Sequence, residues 1–147
     1  MPIALEPSLP GEHDVIFVVE SDEVIRSALH FILDDQNEIH SFASLDLASA
    51  KGQVVPADLV LLGIEFLRGD GERALAAIKR GLPGAKILIV ANSEKDPLAR
   101  ASLKWGAHDV LGKPITFDSV RCKVDALLAR DKISPTMLGL LPLSAAW

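Results

Sequence analysis

Residues Ala57–Leu75 read ADLVLLGIEFLRGDGERAL, and the architecture of the chain can be worked out from this stretch. Its uninterrupted apolar run LVLL is typical of a strand that is covered on both faces of a sheet. The run ends at Gly63, and Asp70 and Gly71 then form a turn pair ahead of a helical pattern. The stretch therefore predicts a buried strand, a loop and a helix, with a glycine at the strand's end.

The same alternation of strand and helix patterns extends in both directions along the chain. In chain order, the predicted strands are DVIFVVE, EIHSFA, DLVLLGI, KILIV and HDVLG. A segment with apolar residues on one helical face follows each strand, the last from about Phe117 to Arg130. Five such units predict an α/β domain, a doubly wound five-stranded parallel sheet with helices on both faces.

Composition divides the chain into a leader, one domain and a tail. Residues 1–13 contain three prolines and a glycine and are predicted to be a flexible leader. Residues 14–130 form the predicted domain. Residues 131–147 are too apolar to be left in water, so we expect them to dock on the domain, on a second copy or on a partner.

Charge and composition exclude several classes of function. A net charge of -5 and a pI near 5.3 give no positive surface for direct nucleic acid binding. No apolar run approaches the roughly 20 residues of a membrane-spanning helix, and the first residues do not resemble a signal peptide, so we expect a cytoplasmic protein. The single cysteine, Cys122, cannot form an internal disulfide and is predicted to be a packing residue.

The candidate functional residues follow from the predicted sheet. In open parallel sheets, sites form in the crevice beyond the carboxyl ends of the strands. The residues at those ends are Glu20, Ser21, Asp22, Gly63, Glu65, Ala91, Asn92, Lys113 and Pro114. The four histidines lie on different elements and no cysteine accompanies them, so no metal site is predicted from them.

Four motifs in this order resemble the receiver domain of two-component response regulators. They are VVESDEVIRSAL, DLVLLGIEFLRGDG, ILIVAN and GAHDVLGKPI, which begin at residues 18, 58, 87 and 106. The resemblance covers about four fifths of the chain, from Asp14 to Arg130. It implies a flavodoxin-like (βα)5 fold that accepts a phosphoryl group on an aspartate at the end of the third strand.

Matched residue by residue, the resemblance implies a phosphorylation pocket that lacks the residues needed to accept a phosphoryl group. The phosphoacceptor aspartate matches Gly63, which has no side chain to act as a nucleophile. The two adjacent acids that hold a divalent metal in the family match Glu20 and Ser21, and Asp22 comes one place later. One acid of that pair is retained and one is lost, so we expect weak or absent Mg²⁺ binding and no other cofactor.

The residues that read out phosphorylation in the family are also replaced. The family's serine or threonine after the fourth strand matches Ala91, and its aromatic residue in the fifth strand matches Val110. The family's phosphate-pairing lysine is retained as Lys113, followed by Pro114. The resemblance therefore implies a degenerate receiver, or pseudo-receiver, without enzyme activity.

The Glu65 side chain has two possible orientations relative to the position where the family has its aspartate. Its carboxylate is expected either to turn toward Gly63 and pair with Lys113, or to face solvent while Lys113 pairs with Glu20. The first arrangement would imitate a permanently charged pocket. Alternate residues face the same way in an extended chain, which would bring Glu65 back toward the site.

Association is the remaining expectation. Receivers commonly pair through helix four, strand five and helix five, which makes Trp105 and Val110 interface candidates, and Trp105 is alternatively a core residue. The candidates in the tail are Met137, Leu138, Leu141 and Trp147. We expect a homodimer or a complex with a protein partner such as a histidine kinase or another regulator.

Three functions are compatible with these residues. The first is a pseudo-receiver that acts by protein–protein contact within a two-component or phosphorelay pathway. The second is a phosphoacceptor that uses a displaced carboxylate, either Glu65 or Asp22. The third is a flavodoxin-like domain that binds a small ligand, although the sequence contains no G-x-G-x-x-G motif or P-loop to cradle a phosphate.

Overall fold

The computed structural model describes residues 14–132. The strands are β1 (Val15–Val19), β2 (Glu38–Phe42), β3 (Leu59–Gly63), β4 (Lys86–Ala91) and β5 (Asp109–Gly112). The helices are α1 (Glu23–Leu33), α2 (Leu45–Gly52), α3 (Gly71–Gly81), α4 (Pro97–Lys104) and α5 (Phe117–Lys132). All strand pairs are parallel, in the order β2-β1-β3-β4-β5, which confirms the predicted (βα)5 fold.

Alternate strand residues supply two separate cores, one on each face of the sheet. Phe17 and Val19 of β1 pack with α2, α3 and α4, whereas Ile16 and Val18 pack with α1 and α5. All four of these side chains are fully buried. The continuous apolar strands of the sequence are therefore explained by helices on both faces.

Polar side chains cap the N-termini of the first four helices. Asp22 caps α1 by accepting hydrogen bonds from two backbone N–H groups, and Ser44 caps α2. Asp70 caps α3, and Asp96 caps α4 ahead of Pro97. Each cap satisfies N–H groups that have no partner inside the helix, which fixes where the helix begins.

Two predictions are corrected by the structure. The chain after β3 forms a 3₁₀ turn from Ile64 to Leu67, so Glu65 does not belong to an extended strand. Cys122 is exposed rather than packed. It lies two residues from both Val120 and Val124, which face the core, and residues two apart in a helix point in different directions.

The predicted leader (1–13) and all but the first two residues of the predicted tail (131–147) lie outside the described residues. The tail's interface candidates Met137, Leu138, Leu141 and Trp147 lie outside them as well. Within residues 14–132, no helix is long and apolar enough to cross a membrane.

Candidate functional site

The candidate site lies where the strand order changes direction. The chain goes from β1 outward to β2 and then returns to the other side of β1 to form β3. The carboxyl ends of β1 and β3 are therefore neighbours, and the loops that follow them diverge to opposite sides. This brings Glu20, which follows β1, next to Gly63 and Glu65 at the end of β3, as expected for a crevice in an open α/β sheet.

Gly63 is surrounded by carboxylate oxygens. A Cβ atom at this position would lie 2.7 Å from Glu20 Oε1, 2.7 Å from Glu65 Oε2 and 2.8 Å from Glu65 Oε1. The backbone of Gly63 has an ordinary extended conformation, with φ at -63°. The glycine is therefore not explained by backbone strain; instead, its missing side chain leaves the space that two glutamate side chains fill.

Glu65 is held in this position by Ser21. Glu65 Oε2 accepts one hydrogen bond from the Ser21 hydroxyl at 2.6 Å and another from the Ser21 backbone N–H at 3.0 Å. The 3₁₀ turn, rather than an extended strand, carries the side chain back over Gly63. The expectation that Glu65 turns toward the place of the missing side chain agrees with this geometry. The argument for it was wrong, because it assumed an extended backbone at Glu65.

Glu20 is the buried partner in this site, with only 3% of its surface exposed. It accepts a hydrogen bond from the Asp22 backbone N–H at 3.0 Å. Burial raises the pKa of Glu20 to about 7, and the hydrogen bond and charge of Glu65 reinforce the rise. Glu20 therefore keeps its proton across the acidic range and can donate it to Glu65.

Glu65 behaves in the opposite way. Burial raises its pKa, but the hydrogen bonds from Glu20 and from Ser21 outweigh burial and lower the pKa to about 2. Two neighbouring carboxyl groups that share a proton titrate as a pair, in two separated steps. Between about pH 2 and pH 7 the pair thus consists of one ionised glutamate, Glu65, and one protonated glutamate, Glu20.

Lys113 does not form either of the predicted ion pairs. Its Nζ atom donates a hydrogen bond to Asn92 Oδ1 at 3.1 Å. Among the ion pairs of the described residues, none joins Lys113 to Glu20 or Glu65. Both alternatives drawn from the sequence are therefore wrong about Lys113. Its positive charge lowers the pKa of Glu20 slightly by a longer-range electrostatic interaction, without an ion pair.

The remaining residues of the predicted pocket have other roles. Asp22 uses its Oδ1 atom to cap α1, accepting hydrogen bonds at 2.9 and 3.2 Å. Ala91 is fully buried and offers no hydroxyl group toward the site. Pro114 is exposed and follows Lys113 across a cis peptide bond.

The two interface candidates on the described part of the chain differ in exposure. Val110 is 1% exposed and belongs to the core on the α2–α4 face, so its side chain is not available to a partner, which corrects that prediction. Trp105 is half-buried and packs beside Gly71, where an added Cβ would lie 2.7 Å from its Cζ3 atom. Trp105 thus combines a packing contact with an accessible surface.

Arg26 is a site residue that the sequence reasoning missed. Its Nη1 atom donates to the Glu20 carbonyl oxygen at 2.7 Å and to the Ser21 carbonyl oxygen at 3.4 Å. These bonds fix the loop that presents Glu20 and Ser21 to Glu65. The only sequence signal for this role is a positive charge in the first turn of α1, where an acid is the usual preference.

The residues present do not fit a Mg²⁺ site of the kind the family uses. Mg²⁺ prefers an octahedral set of oxygen ligands built around one or two free carboxylates. Here the Glu20 and Glu65 carboxyl groups are hydrogen-bonded to each other, and the Ser21 hydroxyl donates a hydrogen bond to Glu65, so neither carboxylate is free to bind a metal ion. Within residues 14–132, no group of three or more His, Cys, Asp or Glu side chains is placed to hold a metal ion.

Comparison with known proteins shows that the chain belongs to a known family. The family profile described as "Response regulator receiver domain" matches residues 16–125. The transcriptional regulatory protein ZraR of Klebsiella oxytoca is 31% identical over 127 residues, which cover 86% of this chain and 29% of ZraR. ZraR of Escherichia coli K12 is 35% identical over 72 residues, 49% of this chain and 16% of that protein. The chain thus spans less than a third of these curated relatives.

Solved structures show the same fold. NtrX from Brucella abortus, solved in complex with ADP, matches with a TM-score of 0.73 and 27% identity over 82% of this chain and 28% of NtrX. A response regulator from Thermotoga maritima matches with a TM-score of 0.71 and 19% identity, covering 80% of this chain and 98% of the other. The beryllofluoride-activated receiver domain dimer of NtrC4 matches with a TM-score of 0.68 and 21% identity, over 79% and 97% of the two chains.

Proposed function

This chain belongs to the response regulator receiver domain family of two-component signalling, and we propose that it is a pseudo-receiver, which signals by protein–protein contact without being phosphorylated at the usual position. The single observation that carries the proposal is at Gly63. The residue there has no side chain, and the carboxylates of Glu20 and Glu65 fill the space that a side chain would occupy. A phosphoryl group would have neither its acceptor nor the room to bind.

The contacts around Glu65 support a fixed state of the site. Its negative charge is retained over the whole neutral range, and two hydrogen bonds tie it to Ser21. The chain therefore carries a negative charge beside Gly63, and the hydrogen bonds between Ser21 and Glu65 connect the loops after β1 and β3. We therefore propose that this receiver holds one conformation for its partner, independent of a phosphoryl donor.

The other parts of the proposal follow from this function. The domain is not an enzyme, binds Mg²⁺ weakly or not at all, and works in the cytoplasm without contacting nucleic acid itself. Its partner is a protein, either a kinase or regulator of a two-component pathway or a second copy of the chain. The acidic net charge supports the absence of nucleic acid contact, and the incomplete ligand set among the described residues supports weak Mg²⁺ binding.

A second candidate is phosphorylation on Glu65 itself. The observation that favours it is that the Glu65 carboxylate lies in the place of the missing acceptor and is ionised at neutral pH. It ranks lower because both Glu65 hydrogen bonds to Ser21 would have to break before Oε2 could attack phosphorus. Asp22 is a weaker acceptor still, since its carboxylate caps α1.

Incubation with acetyl phosphate and Mg²⁺, followed by intact-mass spectrometry at neutral pH, tests the proposal. We expect no phosphoryl adduct on the wild-type chain. A matched positive control is the triple variant Gly63→Asp, Ser21→Asp and Glu65→Ala, which restores the acceptor, restores the acidic pair and clears the space above the strand. We expect this variant to gain a labile phosphoryl adduct.

An adduct on the wild-type chain would contradict the pseudo-receiver proposal. Comparison with Glu65→Gln then identifies the acceptor, because loss of the adduct in this variant assigns it to Glu65. If neither the wild-type chain nor the triple variant forms an adduct, the residues at positions 63, 21 and 65 are not sufficient to explain why the wild-type chain is not phosphorylated.

Self-association is tested at Trp105. If the proposed dimer uses the face around α4, Trp105→Ala lowers the dimer fraction measured by light scattering. Trp105→Phe is the control, since it keeps an aromatic ring against Gly71 and most of the packing. An unchanged oligomeric state in Trp105→Ala, with the fold intact by circular dichroism, would remove this residue from the interface.

A further inference from the structure

We propose that the apolar tail, residues 133–147, docks along the outer face of α1. The surface that it covers is formed by Val24, Ser27 and Phe31, which together are called the α1 stripe. Val24 is 77% exposed and Phe31 is 79% exposed. The inference does not depend on the proposed pseudo-receiver function, because the α1 stripe contains none of the residues around Gly63.

The α1 stripe is an apolar surface that the described part of the chain leaves uncovered. Val24 and Phe31 are seven residues apart, or about two helical turns, so both lie on one side of α1. Ser27 lies between them, is also exposed and carries no charge. Leu29 and Ile32 face the core instead. The outer side of such a helix is normally polar, so an apolar stripe there indicates a surface with an occupant.

A cavity beside Phe31 extends this surface toward β2. Its volume is about 360 Å³, and its lining residues are Arg26, Ser27, His30, Phe31, Asp34 and Ser41. The polar groups among them bond within the domain. Arg26 Nη1 donates to the Glu20 carbonyl oxygen at 2.7 Å, and His30 Nδ1 shares a hydrogen bond with Ser41 Oγ at 2.7 Å. His30 Nε2 also lies 3.8 Å from Asp34 Oδ1. An occupant therefore needs no charge of its own, and Phe31 offers it an apolar wall.

The composition of the tail matches this surface. Residues 133–147 contain no Asp, Glu, Lys or Arg. Their large apolar side chains are Ile133, Met137, Leu138, Leu140, Leu141, Leu143 and Trp147. The leader, residues 1–13, is a poorer match because it carries Glu6 and Glu12. A carboxylate placed against an apolar wall loses hydration energy, which favours the tail over the leader.

The tail also begins close to α1. Arg121 of α5 donates hydrogen bonds to Asn37 Oδ1 at 3.1 Å and to Gln36 Oε1 at 2.8 Å, which fixes α5 beside the turn after α1. Leu128, nearer the end of α5, lines a cavity with the same two residues. The 15 residues of the tail extend to about 50 Å, whereas the 11 residues of α1 form a helix about 16 Å long. The tail can therefore run along the whole α1 stripe.

The size of the α1 stripe favours the tail over a second copy of the chain. Two exposed apolar side chains present on the order of 300 Å², whereas a stable interface between two proteins buries about 800 Å² on each partner. A segment of the same chain needs less area, because its attachment makes docking intramolecular at a high effective concentration. A protein that binds this face of α1 therefore has to displace the tail.

Paramagnetic relaxation enhancement in the full chain tests this proposal. A nitroxide is attached at Glu23→Cys in a Cys122→Ser background, which leaves one cysteine to label. Glu23 is exposed at the beginning of α1, away from the end at which α5 approaches this helix. We expect the label to broaden amide signals of residues 133–147. The matched control is Ala77→Cys in the same background, an exposed position of α3 on the opposite face of the sheet, where the label should leave these signals sharp.

A substitution in the α1 stripe tests the contact itself. Phe31→Gln should lower the equilibrium constant for docking roughly tenfold, seen as loss of the broadening from the Glu23→Cys label. Val54→Gln is the matched control, because Val54 is also 77% exposed but lies in the turn after α2. Both side chains are largely exposed within the described residues, so neither substitution removes a core contact.

Four results would overturn the proposal. The first is the absence of broadening in residues 133–147, or equal broadening from the labels on α1 and α3. The second is broadening in residues 1–13 instead, which would assign the α1 stripe to the leader. The third is broadening of an isotope-labelled chain by a separate nitroxide-bearing chain, which would assign the stripe to a second copy. The fourth is an equal effect of Phe31→Gln and Val54→Gln.

Discussion

Glu20 and Glu65 share a hydrogen bond above Gly63, one glutamate buried beneath the other at the junction of β1 and β3. Two carboxyl groups this close cannot both be ionised without strong repulsion, so a proton is retained between them. At neutral pH a negative charge therefore remains on Glu65, above Gly63. The proton on Glu20 lets it donate to Glu65, and Ser21 holds Glu65 independently through two further hydrogen bonds.

The first prediction is that stability falls as the pH rises above 4.5. Glu20 holds its proton up to about pH 7 in the folded protein, whereas its ordinary pKa is 4.5. The folded state therefore binds more protons than the unfolded state in this window, and raising the pH favours unfolding, by at most about 3 kcal/mol. Urea unfolding of wild type and Glu20→Gln above pH 4.5 measures this, because the difference between them cancels the titration of the groups that do not contact Glu20.

Glu20→Gln should remove the loss, since an amide keeps a donor for Glu65 without a proton to release. An equal pH dependence in wild type and Glu20→Gln would contradict the shared proton.

The second prediction is that Glu65 has the opposite effect. Its pKa is lowered to about 2 from 4.5, so the stability it provides is present above pH 4.5 and is lost as the pH falls toward 2. Glu65→Gln should therefore be less stable than wild type near pH 5 and approach wild-type stability near pH 2. A difference that does not shrink on acidification would show that the Glu65 charge is not what Ser21 stabilises.

The sequence predicts much of this site because strand ends in a parallel sheet have fixed neighbours. Gly63 and Glu20 could be placed together from the strand pattern, whereas the direction of the Glu65 side chain was left open between the site and solvent. The partner of Lys113 could not be placed, because Asn92 lies in a loop whose path depends on packing against β5. The turn at Ile64–Leu67 was missed for a related reason, since an apolar sequence such as GIEFL fits an extended strand as well as a 3₁₀ turn.

The third prediction concerns the space at Gly63. Gly63→Ala would place a methyl group 2.7 Å from both glutamate side chains, which must move away and weaken the bonds to Ser21. We expect a loss of about 1–2 kcal/mol in unfolding free energy. The same substitution in a Glu65→Ala background should cost less, because the space is then free. A double-mutant cycle measures the coupling, and additive effects would contradict the proposed contact.

The fourth prediction concerns Trp105 and Gly71. Gly71→Ala would bring a Cβ to 2.7 Å from Trp105 Cζ3, so we expect a loss of about 1–3 kcal/mol and a change in tryptophan fluorescence. Gly81→Ala in the same helix is the matched control, since its nearest contact would be an ordinary 3.4 Å to Ser49 Oγ. This control should be neutral or stabilising by up to about 1 kcal/mol. Equal losses in both variants would show that helix propensity, not Trp105, sets the cost.

The fifth prediction concerns the loop after β4. A Cβ at Gly112 would lie 2.7 Å from the Glu94 backbone nitrogen, and backbone cannot move aside as a flexible side chain does. Lys123 holds the same loop from α5, with Nζ at 3.2 Å from Asp109 Oδ1 and 3.8 Å from Glu94 Oε2.

We expect Gly112→Ala to cost about 1–3 kcal/mol and to raise amide exchange throughout residues 92–96. Lys123→Met should cost less than about 1 kcal/mol, because pairs with this much solvent exposure contribute little. Hydrogen exchange and urea unfolding of the two variants distinguish the contributions. If Lys123→Met loosens the loop more than Gly112→Ala does, ion pairing rather than close backbone packing holds this loop against β5.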